Sequence, residues 1–318
     1  MMKYFLLVLF LPAISFGFSK TPQNNCTALD LRNSTLGEVR DQGRISWCYA
    51  FAGADMLAHA LNIHRPISAA DIAISYNNTG IARVMSFLLG GKDDLPYQTG
   101  FNKISLNRVM KQGVCSEDIF PSQKWIKVEN GQQYEVPMPE AMKEIFELFS
   151  FVKKYSPMKL PFYYRFKNVD EEKFAELIRL KNMRKFYSNL RLEVCRDDKY
   201  HLGANLSAKM IFRHKSIFEE VAKILESGTL VGIDYDGTVL LNHLHQKPSI
   251  KELHTSVLVA RRWNSDRHQC EYLIRNSHGP SCEKYDPYYT CERGHIWVGE
   301  SELFSNLTSL VFLESALP

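Results

Sequence analysis

The first half of the chain has the hydrophobic pattern of helices. An apolar, alanine-rich run begins at Cys48 and stops before Pro66, which predicts a helix that is buried on most sides. Residues 68–80 start with a capping-box pattern and end at a glycine, which predicts a second helix. Residues 100–113 repeat apolar positions at helical spacing and predict a third.

The C-terminal part changes from helical spacing to short apolar runs. Residues 218–227 predict an amphipathic helix, and Gly228 caps it. Strand patterns follow at residues 229–235, 256–262, 271–276 and 295–298. The pattern therefore predicts an α+β protein in which a helical part precedes a sheet-rich part.

A middle segment, residues 125–215, separates these two parts. It predicts two amphipathic helices, at about 138–155 and 169–192, with prolines and a cluster of aromatic residues between them. Its lysines and arginines outnumber its acids and are spread over the helical faces. The segment is either a solvated surface appendage or a lid over a functional site.

Composition and length are those of a folded protein with about two domains. The 318 residues, of which 45% are hydrophobic, can bury a sizeable core. The net charge of +4 is small and is not gathered into one basic tract, so we expect no nucleic-acid partner. We divide the chain into a helical domain at 20–125, a helical insertion at 126–215 and a sheet-rich domain at 216–318.

Residues 1–19 have the pattern of a secretory signal peptide. A lysine precedes an apolar run, and small residues follow it. The run is too short to span a bilayer comfortably, so we expect it to be removed and the mature protein to be free of the membrane; a retained anchor is the alternative. We therefore expect a secreted or periplasmic protein, or one in a lysosome or another secretory compartment of a eukaryotic host.

The cysteine count predicts one free thiol. Exported proteins keep disulfides, and seven cysteines leave one unpaired. With Cys48 set aside, six remain for three bridges, and only Cys282 with Cys291 encloses a loop short enough to suggest a pairing. No zinc-type spacing of cysteines and histidines occurs, so we expect no metal site.

Candidate chemistry centres on the stretch from residue 41 to residue 52. A polar turn that contains a glycine leads into Cys48, which we place at a helix N-terminus. The positive end of the helix dipole lowers a thiol pKa there and increases the thiolate, which is the nucleophilic form. Composition alone would favour a disulfide partner for Cys48, whereas this local setting favours a nucleophile.

This stretch resembles the signature of the papain-like cysteine peptidases, Gln-Gly-x-Cys-Gly-Ser-Cys-Trp-Ala-Phe-Ala. Gln42 precedes Cys48 by six positions, which is the family's spacing between the oxyanion-hole glutamine and the nucleophile. Ile45 stands in place of the family's first cysteine, and Tyr49 replaces its tryptophan. The resemblance implies a two-domain α+β fold with a cleft between a helical domain and an antiparallel, β-barrel-like domain.

The resemblance continues in the C-terminal part. His254 lies just before an apolar strand, like the histidine of the family's His-Ala-Val-x-x-Val, and Asn276 resembles the asparagine of Trp-x-x-Lys-Asn-Ser-Trp-Gly. It implies that His254 pairs with Cys48 and that Asn276 orients its ring. His243 and His245 compete for that role. Alone, Asn276 could simply close a strand, but the family order of Gln, Cys, His and Asn is specific.

Three further positions bear on the cleft. Gly100, after Thr99, resembles a glycine that borders the family's substrate cleft, although an ordinary loop glycine is the alternative. We expect Trp47 and Gly100 to contact substrate. His278 replaces a family tryptophan that shields the histidine–asparagine hydrogen bond, so we expect a weaker shield unless Trp47 or Trp297 supplies the cover.

The resemblance implies an exported cysteine peptidase that hydrolyses peptide or protein substrates, without metal or other cofactor and as a monomer. His254 lies more than 200 positions after Cys48, compared with about 130–150 in the family, and the middle segment supplies the surplus. We expect no family-style N-terminal propeptide. The alternatives are a catalytically weakened or inactive peptide-binding relative and an acyl-transferring transpeptidase.

Overall fold

The computed structural model describes most of the chain after residue 25. The described residues are 26–77, 79–80, 100–157, 159–180, 182–201, 206–246, 248–249 and 252–315. The predicted signal peptide at 1–19 and Thr99 lie outside them. Among the helices of this part, none combines the length and the apolar character that a membrane span requires.

The helical predictions are largely confirmed. Over the described residues the α-helices are α1 (Cys48–Ala60), α2 (Ala69–Asn77), α3 (Asn102–Gln112), α4 (Met138–Tyr155), α5 (Glu171–Ile178), α6 (Met183–Val194), α7 (Ile217–Glu226) and α8 (Glu300–Asn306). The helix α1 is buried nearly all round because small alanines and a glycine let its neighbours approach closely. Gly228 ends α7 with a φ of 80°, a conformation that glycine adopts without strain.

Thirteen strands occur in the part of the chain that the structure describes. They are β1 (Leu29–Asp30), β2 (Val114–Cys115), β3 (Lys124–Glu129), β4 (Gln132–Pro137), β5 (Phe162–Arg165), β6 (Lys199–Tyr200), β7 (Leu206–Phe212), β8 (Val231–Asp236), β9 (Leu253–Asn264), β10 (Gln269–Arg275), β11 (Thr290–Glu292), β12 (His295–Gly299) and β13 (Leu307–Ser315). All four strands predicted after Gly228 are present, as β8, β9, β10 and β12.

An antiparallel sheet of eight strands divides the core into two layers. Its order is β11-β12-β10-β9-β8-β13-β7, and β1 pairs with β9. Val257 and Val259 of β9 belong to the core cluster that contains α1, whereas Leu258 between them belongs to the cluster that contains α7. This alternation follows from the two-residue period of a strand. Both β8 and β9 contact α1.

The middle segment differs from its prediction. The helix expected at 169–192 is two helices, because the Asn182 side chain accepts the Lys185 amide hydrogen and starts α6 anew. A small sheet of order β4-β3-β5 was missed. Its hairpin turn, Asn130-Gly131, has φ values of 51° and 79°, and an Asn-Gly pair between alternating residues is a signal that sequence reasoning could have used.

The middle segment packs into the helical core instead of standing off its surface. Trp125 and Phe186 are buried in the same cluster as α1 and α2. The Cys115–Cys195 disulfide ties α6 to the strand that follows α3, and Arg191 of α6 forms a buried ion pair with Asp71 of α2. The domain boundaries at 20–125, 126–215 and 216–318 stay a prediction.

The cysteine prediction is confirmed. The bridges are Cys26–Cys270, Cys115–Cys195 and Cys282–Cys291, and Cys48 is free. Cys26–Cys270 joins the start of the described chain to β10. Three bridges are typical of proteins from an oxidising compartment.

Candidate active site

Cys48 is the first residue of α1, and its side chain is nearly buried, at 7% exposure. The first turn of α1 contains no acidic residue, so no carboxylate side chain competes for its unpaired amide groups. Burial raises the pKa of the Cys48 thiol, but the hydrogen bond and charge of His254 and the Thr255 amide lower it, and the net direction is down. The thiolate is therefore favoured.

His254 faces Cys48 from β9. Burial lowers the pKa of His254, but its hydrogen bond to Cys48, the charge of that sulfur, Asn276 and Asp234 together raise it above the ordinary value. Opposite shifts of the two pKa values favour a thiolate–imidazolium pair over two neutral groups. Residues more than 200 positions apart are thus brought into contact where α1 packs on β9.

Asn276 fixes the tautomer of His254. Its Oδ1 lies 2.7 Å from His254 Nε2 and also accepts the Ser277 amide hydrogen at 2.9 Å. Because a backbone amide can only donate, this atom is the acceptor, and His254 Nε2 must carry a proton. The Ser256 hydroxyl donates to the same oxygen, and Asn276 Nδ2 donates to the Tyr285 hydroxyl at 3.0 Å. The other imidazole nitrogen is left for the sulfur.

Gln42 connects the helical part to the end of β10. Its Nε2 donates to the Ile45 carbonyl at 2.7 Å, and its Oε1 accepts from the Ser277 hydroxyl at 2.6 Å. The Gln42 amide donates to the Ser277 carbonyl at 2.9 Å. These contacts hold the side-chain amide in one orientation, and Nε2 keeps a second hydrogen for another acceptor.

Solved structures of cysteine proteases have a similar fold. The proform of the Amb a 11 cysteine protease, a ragweed pollen allergen, matches with a TM-score of 0.50 and 13% identity over 97% of this chain and 71% of that one. The chain has the papain-like α+β fold. The predicted fold class is therefore confirmed.

Two further similar structures have lower TM-scores. Digestive procathepsin L 3 from the larval midgut of Tenebrio molitor matches at 13% identity and a TM-score of 0.48, over 94% of this chain and 72% of that one. Bromelain from Ananas comosus, in complex with the E64 inhibitor, matches at 12% and 0.44, over 89% of this chain and 96% of that one. No protein-family model and no curated protein matches the sequence.

In this papain-like fold, the ring of His278 stacks on the ring of His254. The ring planes of His254 and His278 are 8° apart, with centroids 5.2 Å apart. Burial, the charge of His254 and the charge of Lys284 lower the pKa of His278 to about 4, so its ring is neutral at ordinary pH. Trp297 is nearly buried, and its ring packs under the Arg262 guanidinium at 4.1 Å.

The two residues predicted to contact substrate occupy different settings. Trp47 is fully buried directly before α1. Gly100 lies on the face of Tyr49, where an added Cβ would come within 2.4 Å of the ring. Gly100 is therefore explained by close packing against the residue that follows Cys48, and contact of either residue with substrate stays a prediction.

The competing histidines have other partners. His243 Nδ1 lies 2.8 Å from Asp286, and His245 Nε2 lies 3.0 Å from Asp236. The sequence favours His254 over both, because it lies just before an apolar strand and precedes Asn276. Their carboxylate partners agree with this preference, because these contacts hold both rings away from a role at the thiol.

Asp234 lies near Cys48 and His254, and no sequence pattern indicated it. It lies on β8 opposite Thr255, accepts hydrogen bonds from the hydroxyls of Thr255 and Ser309 at 2.7 Å each, and is buried. Burial raises the pKa of Asp234 above its ordinary value, although both hydroxyls oppose this. A buried carboxylate beside Thr255 acts on both Cys48 and His254.

One cluster in the described residues has the geometry of metal ligands, namely Asp71, Cys115 and Cys195. Both sulfurs form a disulfide with each other, and Arg191 forms an ion pair with the Asp71 carboxylate. Metal binding needs free thiolates, so this cluster serves the packing of the middle segment.

Proposed function

We propose that the protein is an exported cysteine peptidase that hydrolyses peptide bonds in peptide or protein substrates. The observation that carries the proposal is the chain of contacts from the free thiol of Cys48 to His254 and on to Asn276 Oδ1. A nucleophile, a base that contacts it and a group that orients the base are the requirements of acyl-transfer chemistry.

The proposed reaction starts with attack of the Cys48 thiolate on the scissile carbonyl carbon. The carbonyl oxygen becomes an oxyanion, which accepts hydrogen bonds from the second Nε2 hydrogen of Gln42 and from the Cys48 amide. The His254 imidazolium gives the proton on its sulfur-facing nitrogen to the departing amine, and an acyl-enzyme remains. Water, deprotonated by His254, then releases the acid and restores the thiolate. This sequence uses no metal or organic cofactor.

Three expectations belong to the same proposal. Export directed by residues 1–19, which are then removed, would deliver the chain to an oxidising compartment, where its three disulfides persist. The mature protein acts as a monomer and does not bind a membrane. No contact in the described residues favours the inactive peptide-binding protein or the transpeptidase over hydrolysis.

Replacement of the thiol tests the proposal. Cys48→Ala should lower kcat/KM for a fluorogenic peptide by at least about 10³-fold and abolish labelling by a thiol-directed epoxide. His254→Ala should also lose activity. His243→Ala is its matched control and should stay active, because His243 contacts Asp286. Full activity in Cys48→Ala, with its disulfides intact by mass spectrometry, contradicts the proposal.

A further inference from the structure

One carboxylate on α1 contacts arginines from two distant segments of the chain. Asp55 follows Cys48 by seven residues, which is about two helical turns, so both residues lie on the same side of the helix. It is the one acidic residue of α1, and its side chain is 13% exposed. The Cα atoms of the two residues are therefore about 10 Å apart along the helix axis.

The two oxygens of Asp55 are divided between the two arginines. Arg275 Nε donates to Oδ2 at 2.8 Å, and a terminal guanidinium nitrogen of Arg40 donates to Oδ1 at 3.1 Å. The Arg275 side chain is 1% exposed, and that of Arg40 is 10% exposed. Water screens charges weakly at such sites, so the attraction within this cluster is stronger than in an ion pair on the surface.

The Arg275 guanidinium is held in one orientation. Arg275 ends β10, and Asn276 follows it directly. Besides Asp55, the acceptors of its guanidinium are the carbonyl groups of residues 36–38, at 2.7, 3.2 and 2.8 Å, and His295 Nε2 at 3.4 Å. Every N–H group of this guanidinium thus has an acceptor. Among the described residues, Asp55 is the only carboxylate that pairs with Arg275.

Arg40 fixes the segment that leads to Gln42, two positions later. Its guanidinium donates to the Ile67 carbonyl at 2.7 Å and pairs with Glu117 at 3.3 Å. Its own carbonyl accepts the Gly279 amide hydrogen at 3.0 Å, so this segment is also tied to the loop after β10. The two arginines therefore lie on chain segments that contact each other.

These contacts connect the proposed oxyanion donor and the proposed orienting group to the nucleophile. Gln42 and Asn276 lie within two residues of the arginines, and Cys48 is on the helix that carries Asp55. The Gln42 amide also donates to the Ser277 carbonyl. A rigid link of this kind decides where both side chains lie relative to the sulfur, and a shift of about 1 Å in such a site can cost about 10²-fold in rate.

We propose that Asp55 is a positioning residue, which holds Gln42 and Asn276 at the distances from Cys48 that peptide hydrolysis requires. This role rests on the proposed peptidase function. The Asp55 carboxylate contacts the two arginines and, among the described residues, none of the proposed reacting groups. It therefore acts on the reaction only through the segments that the arginines hold.

The thiolate gives a readout that is separate from positioning. The Cys48–His254 pair includes neither arginine, so we expect the thiolate to persist when Asp55 is changed. Hydrolysis also needs the oxyanion donor and the oriented imidazole in place together. A change at Asp55 should therefore lower turnover much more than it lowers alkylation of Cys48.

Asp55→Asn tests the proposal, because it keeps the size of the side chain and removes its charge. A thiol-directed epoxide titrates the competent sites, so kcat is expressed per folded active site. We expect kcat for a fluorogenic peptide to fall by about 10- to 100-fold, with KM and the rate of Cys48 alkylation at mildly acidic pH within about twofold of the unaltered protein. Asp198→Asn, which removes a more exposed ion pair with Lys167, is the matched control and should keep the full kcat.

Asp55→Glu is the second variant, and it covers the outcome that Asp55→Asn does not fold. It keeps the negative charge between the two arginines but moves the carboxylate by one methylene group. A charge that serves stability alone would be restored by this change, whereas a positioning residue would not. We therefore expect kcat per titrated site to stay at least about threefold lower than in the unaltered protein.

Full kcat per titrated site in the variant that folds overturns the positioning role, even if that variant is less stable. An equal loss of alkylation and turnover also overturns it, because the change would then act on the thiolate. If the unaltered protein cleaves no peptide, the peptidase proposal fails and the positioning role falls with it. If it cleaves peptides and the Asp55 variants do so at the full rate per site, the positioning role alone is wrong.

Discussion

The imidazole of His278 lies parallel to that of His254, with the ring centroids 5.2 Å apart. A neutral ring in this position covers one face of the His254–Asn276 pair, and it does so with less area than an indole would. His278→Ala should lower kcat about tenfold, since water gains access to that hydrogen bond. Steady-state kinetics measure the loss, and His278→Trp should restore activity at least to the original level. A fully active His278→Ala variant contradicts this role.

Asn276→Ala should reduce kcat by about 10²-fold, because His254 loses the acceptor that keeps Nε2 protonated. Tyr285→Phe is the milder companion change: it removes only the acceptor of the Asn276 amide hydrogens, and a loss of a few-fold is expected. The pH dependence of kcat/KM gives an independent readout. Equal losses in the two variants would argue against orientation through Oδ1.

Asp234→Asn should shift the whole pH–activity profile towards acid. The buried carboxylate raises the pKa of Cys48, because it disfavours the thiolate, and it raises the pKa of His254, because it favours the imidazolium. Removing its charge therefore lowers the pKa of both groups, so the acidic and the alkaline limbs of kcat/KM move in the same direction. Four groups act on this carboxylate. Thr255 on β9 and Ser309 on β13 donate hydrogen bonds to it, and His254 on β9 and Cys48 on α1 act through their charge. If the two limbs of the pH profile do not move, Asp234 does not act on Cys48 and His254 in this way.

Gly100→Ala should destabilise the protein by about 1–3 kcal/mol, since the new methyl group would overlap the Tyr49 ring. Gly80→Ala is the matched control, because an added Cβ there meets no atom of the described residues within 4 Å. Urea denaturation of both variants measures the difference. If the two substitutions cost the same, close packing on Tyr49 does not explain the glycine.

His295→Gln should make the protein less sensitive to mild acid. Burial, Arg275 and Arg32 lower the pKa of His295 to about 4, whereas the unfolded chain binds this proton near pH 6.5. Between these values the unfolded state holds more protons, so stability falls as pH falls from about 6.5 to 4, by on the order of 3 kcal/mol. Thermal unfolding at several pH values should show a flatter dependence in the variant. An unchanged slope contradicts the buried neutral state.

Local sequence patterns predicted the helices and strands that have a clear hydrophobic period. The bounds of α4 agree with the sequence prediction, and the strand at 256–262 lies within β9. Cys48, His254 and Asn276 could be proposed together because each sits at the end of a regular element, in an order that resembles one family. The elements follow from period and position, whereas the roles of the three residues follow from the family resemblance.

The remaining features depend on contacts between distant residues. Nothing local to residue 234 or residue 285 indicates that β8 and the loop after β10 converge on the same histidine. The small sheet of the middle segment was missed because its strands are polar on the exposed side, so the expected apolar alternation is weak at β4. Long-range packing also decides that Trp125 enters the main core.

The pH dependence of Cys48 alkylation tests the central claim, the thiolate–imidazolium pair, most directly. Iodoacetamide should modify Cys48 rapidly at mildly acidic pH, and His254→Ala should restore the slow rate of an ordinary thiol, with peptide mapping to confirm the modified residue. A Cys48 that reacts only as pH approaches about 8.5, equally in both proteins, would contradict the account.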